Sequence, residues 1–364
     1  MAAWTFSALL CLGWCWPDHF TPWPAFHNEV PVFLAVILGM GLTLWRAQNR
    51  SFDLSAGSWL ALMLVGVAGL QWLTDLLTYH GDLVLVALYM IGAGLAWELG
   101  RSWAGRSESR LFTAIDTLAL AFVSGATLSS LVAFIQWVEQ EASWMPWVMP
   151  AAHTNRAIAN LAQPNQLSTL LLMGIIATAL LYERVRMSGV LALFFIVIHT
   201  LILVLTQSRT GMVIAFALIA ISPWITKKSH RLHWWMVLIW AIAFFLLVSI
   251  YQELGQQTSK AALGTQQVMQ VGLRPLMWQQ FGAALMESPL WGFGWLQTVR
   301  AQQIGALTVP GLEQAVYTHN VFLDLAIWMG LPLFLFVLIL IAYWVWQRRK
   351  GFKNLRVRWC IVWL

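Results

Sequence analysis

The chain repeats apolar segments of membrane-spanning length almost from end to end. They cover residues 4–16, 31–45, 58–74, 83–99, 111–137, 166–182, 189–206, 210–226, 234–250 and 320–346. A helix rises about 1.5 Å per residue, so about 20 residues cross a hydrocarbon layer roughly 30 Å thick. Because a backbone in lipid must satisfy its own hydrogen bonds, each segment is expected to be helical. The sequence therefore predicts an all-α polytopic membrane protein with about ten transmembrane helices.

The composition excludes an ordinary soluble enzyme. Sixty per cent of the residues are hydrophobic and only 10% are charged, whereas a soluble domain is about 25% charged. The 24 tryptophans fit the same conclusion, because this side chain prefers the boundary between lipid and water.

The basic residues predict the orientation of the chain. If the N-terminus is cytoplasmic and each segment crosses once, sixteen of the 21 Lys and Arg residues lie in cytoplasmic loops. This bias follows the positive-inside rule. It also explains the net charge of +6, so no nucleic-acid partner is expected. The five basic residues on the outer side are Arg156, Arg209, Lys260, Arg274 and Arg300.

Three stretches of the chain are predicted. Residues 1–250 form a transmembrane bundle of about nine helices. Residues 251–319 form a long outer loop, which is rich in aromatic residues and is therefore expected to contain interfacial helices around a Pro/Gly-rich turn. Residues 320–364 provide a transmembrane helix, a basic cytoplasmic loop and the start of a further helix, so we expect the natural chain to continue beyond Leu364.

Two outer arginines are candidates for an anion site. Arg209 lies in a tight turn between two apolar runs, where an arginine is costly unless it is paired or serves a site; the alternative is a snorkelling side chain. Arg274 opens an amphipathic segment, at a helix end that disfavours cations; the alternative is a surface arginine. Two guanidinium groups from separate elements suit a pyrophosphate, because each offers bidentate donors.

His319 lies where the long outer loop re-enters the membrane. A histidine with a pKa near neutrality is a natural general base or proton shuttle. The alternative is a capping cluster, in which Thr318 or Asn320 caps the following helix.

A third polar group precedes the segment that begins near Pro164. Asn165 and Gln166 could hold a phosphate or a sugar at the positive end of that helix, and Arg156 in the same loop could join them. The alternatives are that Asn165 is the helix N-cap and that Arg156 is solvent-exposed.

Two ionisable residues lie within predicted spans. Asp116 and His199 are candidates for relay groups, although structural pairing is the favoured interpretation of both. The sequence contains no Asp-x-Asp, His-Glu-x-x-His, Cys-x-x-Cys or Walker motif, so neither a metal site nor an ATP-driven reaction is expected.

Several short motifs occur in a fixed order along the outer side. They are Gln163-Pro164-Asn165-Gln166-Leu167-Ser168, Ser208-Arg209-Thr210-Gly211, Arg274 with Trp278, Ser288-Pro289-Leu290-Trp291-Gly292-Phe293-Gly294-Trp295, His319-Asn320, Trp328-Met329-Gly330-Leu331-Pro332, and the first outer loop, residues 17–29. Together they resemble the bacterial O-oligosaccharyltransferases of the pilin-glycosylating type, within the O-antigen ligase and polymerase superfamily.

The resemblance implies a GT-C-like membrane fold in the bacterial inner membrane. It implies a donor oligosaccharide on undecaprenyl pyrophosphate, with its tail in membrane lipid. The transfer would occur in the periplasm to Ser or Thr of a pilin or another periplasmic protein, without metal or cofactor. Carried over residue by residue, it makes His319, Arg274 and Arg209 catalytic. It gives Asn165, Gln166, Asn320 and Arg156 a part in substrate binding.

Other functions stay open at this stage. The nearest alternatives use the same donor with a different acceptor, namely lipid A core (a ligase) or another glycan (a polymerase). The Pro/Trp-rich first outer loop favours a protein acceptor. A different class of function is a flippase or secondary transporter for lipid-linked oligosaccharides, whose spans also carry polar residues.

Overall fold

The described part of the chain is helical. The computed structural model describes residues 2–18, 25–47, 53–104, 108–151, 156–227, 229–257, 274–311 and 314–348, and within these ranges it contains no strand. The α-helices are α1 Ala2–Cys15, α2 Phe26–Ala47, α3 Ala56–Leu73, α4 His80–Ala104, α5 Glu108–Trp137, α6 Pro164–Glu183, α7 Gly189–Leu205, α8 Arg209–Thr226, α9 Trp234–Gln257, α10 Arg274–Glu287, α11 Thr298–Gly305 and α12 Val321–Arg348. Two short 3₁₀ helices, Glu141–Trp144 and Ala159–Leu161, lie between α5 and α6.

The predicted membrane segments are confirmed. Among the described helices, eight are long and apolar enough to cross a membrane, and α1 and α7 are shorter apolar helices. Each of the ten predicted segments coincides with one of these helices. Their outward faces carry large exposed apolar side chains such as Leu193, Ile239 and Ile339, which suits contact with hydrocarbon rather than water. The chain is therefore a multi-pass membrane protein.

The long outer loop contains the expected helices. Helices α10 and α11 lie within it, separated by the Pro/Gly-rich turn. Residues 258–273, including Lys260, lie outside the described residues, as do His19 in the first outer loop and the predicted further helix after residue 350. The GT-C-like fold stays a prediction.

Contacts divide the chain into two compact units. The first unit is built from residues within Met1–Leu42 and Ser102–Met269, and the second from residues within Thr43–Arg101 and Gln270–Gly351. The three predicted stretches, 1–250, 251–319 and 320–364, are consecutive in the sequence and do not correspond to these two units. That division stays a prediction.

Helix α6 is the central helix of the first unit. Two thirds of its apolar window (67%) is buried, against 44% or less in each of the other long spans. Small residues allow this burial: a Cβ on Gly174 would lie 2.5 Å from the Cβ of Ala126 in α5. Such close approach is typical of helix packing in membranes, where small residues let backbones meet. The packing fixes the N-terminal end of α6, which carries Asn165.

The second unit is organised around a break in α12. Gly330 has φ 76° and ψ 162°, and Pro332 follows it. The carbonyls of Ile327 and Trp328, released by the break, accept hydrogen bonds from the N–H groups of Phe293 (2.7 Å) and Gly294 (3.2 Å). Non-helical backbone at membrane depth needs such partners. The two motifs at 288–295 and 328–332 are therefore one structural element.

A substitution at Gly292 tests this structural element. Its φ is +68°, and a Cβ there would lie 2.4 Å from the carbonyl oxygen of Ile327. Gly292→Ala should therefore lower the free energy of unfolding by about 1–3 kcal/mol, through left-handed strain and overpacking, as measured by thermal unfolding in detergent. Gly282→Ala in α10 is the control, because no atom lies within 4 Å of its added Cβ. Equal melting temperatures for the two variants would contradict the account.

Candidate functional site

His319 is held in an uncommon backbone conformation. Its φ is +56°, in the left-handed region that residues other than glycine rarely adopt. Its side chain is exposed, while the preceding Thr318 is fully buried. Such conformations persist only where the surrounding contacts enforce them, and they concentrate at functional sites.

Three contacts enforce the conformation through Thr318. Its N–H donates to Oδ1 of Asp324 (3.0 Å), and its carbonyl accepts from the indole N–H of Trp278 (2.9 Å). Its hydroxyl donates to the carbonyl of Asn320 (2.9 Å). Helices α10 and α12 therefore both fix the loop that presents His319.

Asn320 caps α12, as the alternative interpretation of this cluster proposed. Its Oδ1 accepts hydrogen bonds from the N–H groups of Phe322 (3.1 Å) and Leu323 (3.4 Å). A part for Asn320 in substrate binding stays a prediction. The cap fixes where the helix begins, one residue after the loop that carries His319.

The electrostatic surroundings of His319 favour a neutral imidazole. Burial lowers its pKa from the ordinary value, the charge of Arg274 lowers it further, and Asp324 opposes the shift. A neutral imidazole at neutral pH can accept a proton. Arg274 is the first residue of α10 and its side chain is exposed, so the second unit presents a base beside a cation.

The first unit contains a second polar cluster, centred on Ser208. The Ser208 hydroxyl donates to Oδ1 of Asn165 (2.8 Å) and lies 2.9 Å from the Ser168 hydroxyl, which donates to it. The same oxygen accepts from the N–H of Gly211 (3.2 Å) and so caps α8. The cluster joins the N-terminal ends of α6 and α8, and it sets the position of Arg209, the first residue of α8.

Arg156 binds the C-terminal end of α7. Its Nε donates to the carbonyl of Thr206 (2.8 Å), and its NH2 group donates to the carbonyl of Gln207 (3.3 Å). A cation is favourable at this negative helix end. This gives Arg156 a structural role in the turn before Arg209, so it is not simply a solvent-exposed arginine. Its predicted part in substrate binding stays a prediction.

The two arginines of the first unit lie close enough to interact. Burial lowers the pKa of Arg156, and the charge of Arg209 lowers it further. Two cations held near each other, with Arg209 at the N-terminus of α8, favour the binding of an anion, which would screen their repulsion. This arrangement supports the predicted anion-binding role of Arg209, whose side chain is exposed.

The structure corrects one interpretation from the sequence. Asn165 is not the N-cap of α6: Gln163 occupies that position without a side-chain bond, and Pro164 is the first helical residue. Asn165 turns its side chain to Ser208 instead. Gln166 is exposed, and its part in substrate binding stays a prediction.

The two ionisable residues within the spans have structural partners. Asp116 forms ion pairs with Arg184 (2.6 Å) and Arg186 (3.1 Å), which confirms the favoured interpretation of this acid. The Nε2 of His199 lies 3.1 Å from the hydroxyl of Thr127. Its pairing across α5 and α7 agrees with the structural interpretation.

The predicted site residues fall into two groups. Asn165, Arg156 and Arg209 belong to the first unit, whereas Arg274, His319 and Asn320 belong to the second. The structure brings the members of each group together. That both groups act on one substrate stays a prediction.

Four residues that shape these groups were not predicted from the sequence. Ser168, Ser208, Trp278 and Asp324 all lie within or beside motifs that the resemblance used, yet only their arginine, histidine and amide neighbours were singled out. The signal that would have identified Asp324 is its place in the first turn of α12, where a carboxylate is favourable and can reach back to the preceding loop.

These features define a class: a multi-pass helical membrane protein with two polar, arginine-bearing clusters at helix ends. Comparison with known proteins narrows the class. Residues 191–338 match the family model described as O-antigen ligase, and residues 157–182 match the model described as protein glycosylation ligase. These matches confirm the predicted resemblance to that family.

Two curated relatives from Acinetobacter baylyi agree with the family matches. A general O-oligosaccharyltransferase is 33% identical over 353 residues, which is 93% of this chain and 60% of that protein. A ComP-specific O-oligosaccharyltransferase is 28% identical over 252 residues, which is 66% of this chain and 44% of that protein. The matched chain thus spans less than two thirds of either relative. No solved structure matches it significantly.

Ser208 provides a stability test of the first cluster. Ser208→Ala removes the cap of α8 and the donor to Asn165, so it should lower the free energy of unfolding by about 1–2 kcal/mol, measured by thermal unfolding in detergent. Ser249→Ala is the control, because that exposed hydroxyl bonds only a carbonyl of its own helix. A Ser208→Ala melting temperature no lower than that of the control would contradict the central place given to this hydroxyl.

Proposed function

We propose that this protein is an O-oligosaccharyltransferase of the bacterial inner membrane. It moves an oligosaccharide en bloc from undecaprenyl pyrophosphate to a Ser or Thr hydroxyl of a pilin or another periplasmic protein. The observation that carries the proposal is the environment of His319. Its backbone is held in the left-handed region, and the nearby charge of Arg274 contributes to its lowered pKa. It is supported by the similarity of the chain to O-oligosaccharyltransferases over most of its length.

The donor is bound through its phosphates. The polyprenol tail lies in lipid, and the pyrophosphate lies at the outer boundary of the membrane. Arg274 of the second unit and Arg209 of the first unit are each assigned to phosphate oxygens. A guanidinium group suits this role because its planar fork gives two parallel hydrogen bonds to an oxyanion. Both side chains are exposed, so both are accessible to the anion.

The transfer is a displacement at the anomeric carbon of the donor sugar. The acceptor hydroxyl oxygen attacks that carbon while a ring nitrogen of His319 accepts the hydroxyl proton. The bond from the carbon to the pyrophosphate oxygen breaks, and its electrons leave with undecaprenyl pyrophosphate. The arginines stabilise the growing charge, a contribution of about 3–4 kcal/mol for one well-placed donor. The donor is already activated, so no nucleotide is needed.

Reconstitution of the purified full chain tests the proposed function. The protein is supplied with a lipid-linked oligosaccharide and either a pilin or lipid A core, and products are identified by mass spectrometry. Glycan on Ser or Thr of the pilin supports the proposal. Transfer to lipid A core alone would assign the protein as a ligase instead. Movement of the donor across liposomes without any glycosyl transfer would assign it as a flippase.

His319→Ala should lower kcat by about 10²- to 10⁴-fold, because it removes the proton acceptor. In the wild-type protein, kcat/KM should fall only below the ordinary histidine pKa, since the group is neutral until the pH drops through its lowered value. Both are measured by rates of glycan transfer across pH, with His233→Ala as a control. Full turnover of His319→Ala would reduce this residue to a structural role.

Arg209→Lys should retain the charge but lose the bidentate contact with phosphate. We expect kcat/KM for the lipid-linked donor to fall about tenfold or more, with unchanged membrane insertion and thermal stability. Arg186→Lys is the matched control, because it is another exposed arginine of the same unit. Wild-type rates for Arg209→Lys would show that a point charge suffices there.

A further inference from the structure

We propose that Asp324 and Trp278 are positioning residues for His319, which act on it through the backbone of Thr318. This inference rests on the proposed function and deepens it. Neither side chain is assigned to touch the donor or the acceptor.

Asp324 holds the loop from the side of α12. It is buried, with 7% of its surface exposed, and its Oδ1 accepts the N–H of Thr318 at 3.0 Å. Its place in the first turn of α12 lets the helix dipole favour the carboxylate. The bond reaches back six residues, so α12 fixes the residue that immediately precedes His319.

Trp278 holds the same residue from the side of α10. Its indole N–H donates to the carbonyl of Thr318 at 2.9 Å. Trp278 follows Arg274 by four residues on α10, so the two side chains lie on one face of the helix. The same helix face thus carries the cation and anchors the loop of the base. Helix α10 therefore carries both the cation and one of the two anchors of the loop that presents His319.

The anchors offset a conformational cost. A left-handed conformation is unfavourable for a residue other than glycine, and the hydrogen bonds at Thr318 offset that cost. With an anchor lost, residue 319 can return to negative φ, and the imidazole then moves relative to Arg274. Displacement of a catalytic group by about 1 Å can lower a rate on the order of a hundredfold.

Asp324 has a second, electrostatic effect on His319. The charged groups that bear on the imidazole are Arg274 from α10 and Asp324 from α12. The adjacent titratable side chain, Tyr317, interacts with the same Asp324. The Asp324 carboxylate favours the imidazolium and so raises the pKa of His319, against the effects of burial and Arg274. The positional and electrostatic effects of Asp324 can be tested separately, because asparagine at position 324 retains the acceptor oxygen but carries no charge.

Asp324→Asn tests the electrostatic effect. It keeps an acceptor for the Thr318 N–H, so we expect thermal stability and the KM for the donor to change little. Removal of the negative charge should lower the pKa of His319, and the acid limb of the kcat/KM profile should then move to lower pH. Asp82→Asn is the control, another carboxylate in the first turn of a span in the same unit, where it accepts from Gln297. An acid limb at the wild-type position would overturn the electrostatic claim.

Trp278→Phe tests the positional effect. It retains an aromatic ring but removes the N–H donor together with the pyrrole part of the indole, so kcat for glycan transfer should fall on the order of tenfold to a hundredfold, with the donor KM within about threefold of wild type. Asp324→Ala, which removes the other anchor, should lower kcat in the same way. Trp291→Phe is the control, because Trp291 is 75% exposed.

The outcomes distinguish the positioning role of Asp324 and Trp278 from the proposed function. If Trp278→Phe turns over like Trp291→Phe, the positioning role is wrong, although the proposed function stands. If the wild-type protein itself transfers no glycan, the proposed function fails. Should Asp324→Ala fail to fold, the two conservative variants still decide both claims.

Discussion

Backbone hydrogen bonding in lipid is the constraint on which the rest of this structure depends. It makes every apolar segment a helix, and it requires a partner for each peptide group that a helix end or break releases. The break at Gly330 is satisfied by the turn that contains Phe293 and Gly294. The turn before Arg209 is satisfied by Arg156. The polar residues proposed for function lie at such junctions, where the backbone is already held by side chains.

Both proposed phosphate-binding arginines begin a helix. Arg209 is the first residue of α8, and Arg274 is the first residue of α10. A cation there opposes the helix dipole, whereas an anion at the same place gains from the positive end of the dipole and from the arginine. The cost of the arginine is thus offset when a phosphate binds. His319, the proposed base, lies on a loop fixed by α10 and α12.

The sequence predicted the spans and the polar junctions because both depend on local patterns. Apolar runs located the eight candidate spans and the two shorter apolar helices. Arg209, Arg274 and His319 were singled out by their places at a tight turn beside lipid, at a helix start and at the end of the long loop. Contacts between residues that are distant in the sequence could not be predicted from such local patterns. The bond from Ser208 to Asn165 joins residues 43 positions apart, so no local pattern could decide against the alternative in which Asn165 caps α6, which the structure contradicts. The left-handed φ of His319 depends on anchors from two helices, and no local propensity indicates it.

Affinity for a pyrophosphate tests the central claim most directly. Calorimetry in detergent would compare binding of a short isoprenyl pyrophosphate to the wild-type full chain, Arg274→Ala and His319→Ala. Loss of a charge-assisted hydrogen bond should weaken binding to Arg274→Ala about tenfold or more, while His319→Ala should bind within about threefold of wild type, since a base for the acceptor hydroxyl contributes to rate rather than donor affinity. Wild-type affinity in Arg274→Ala would contradict the account.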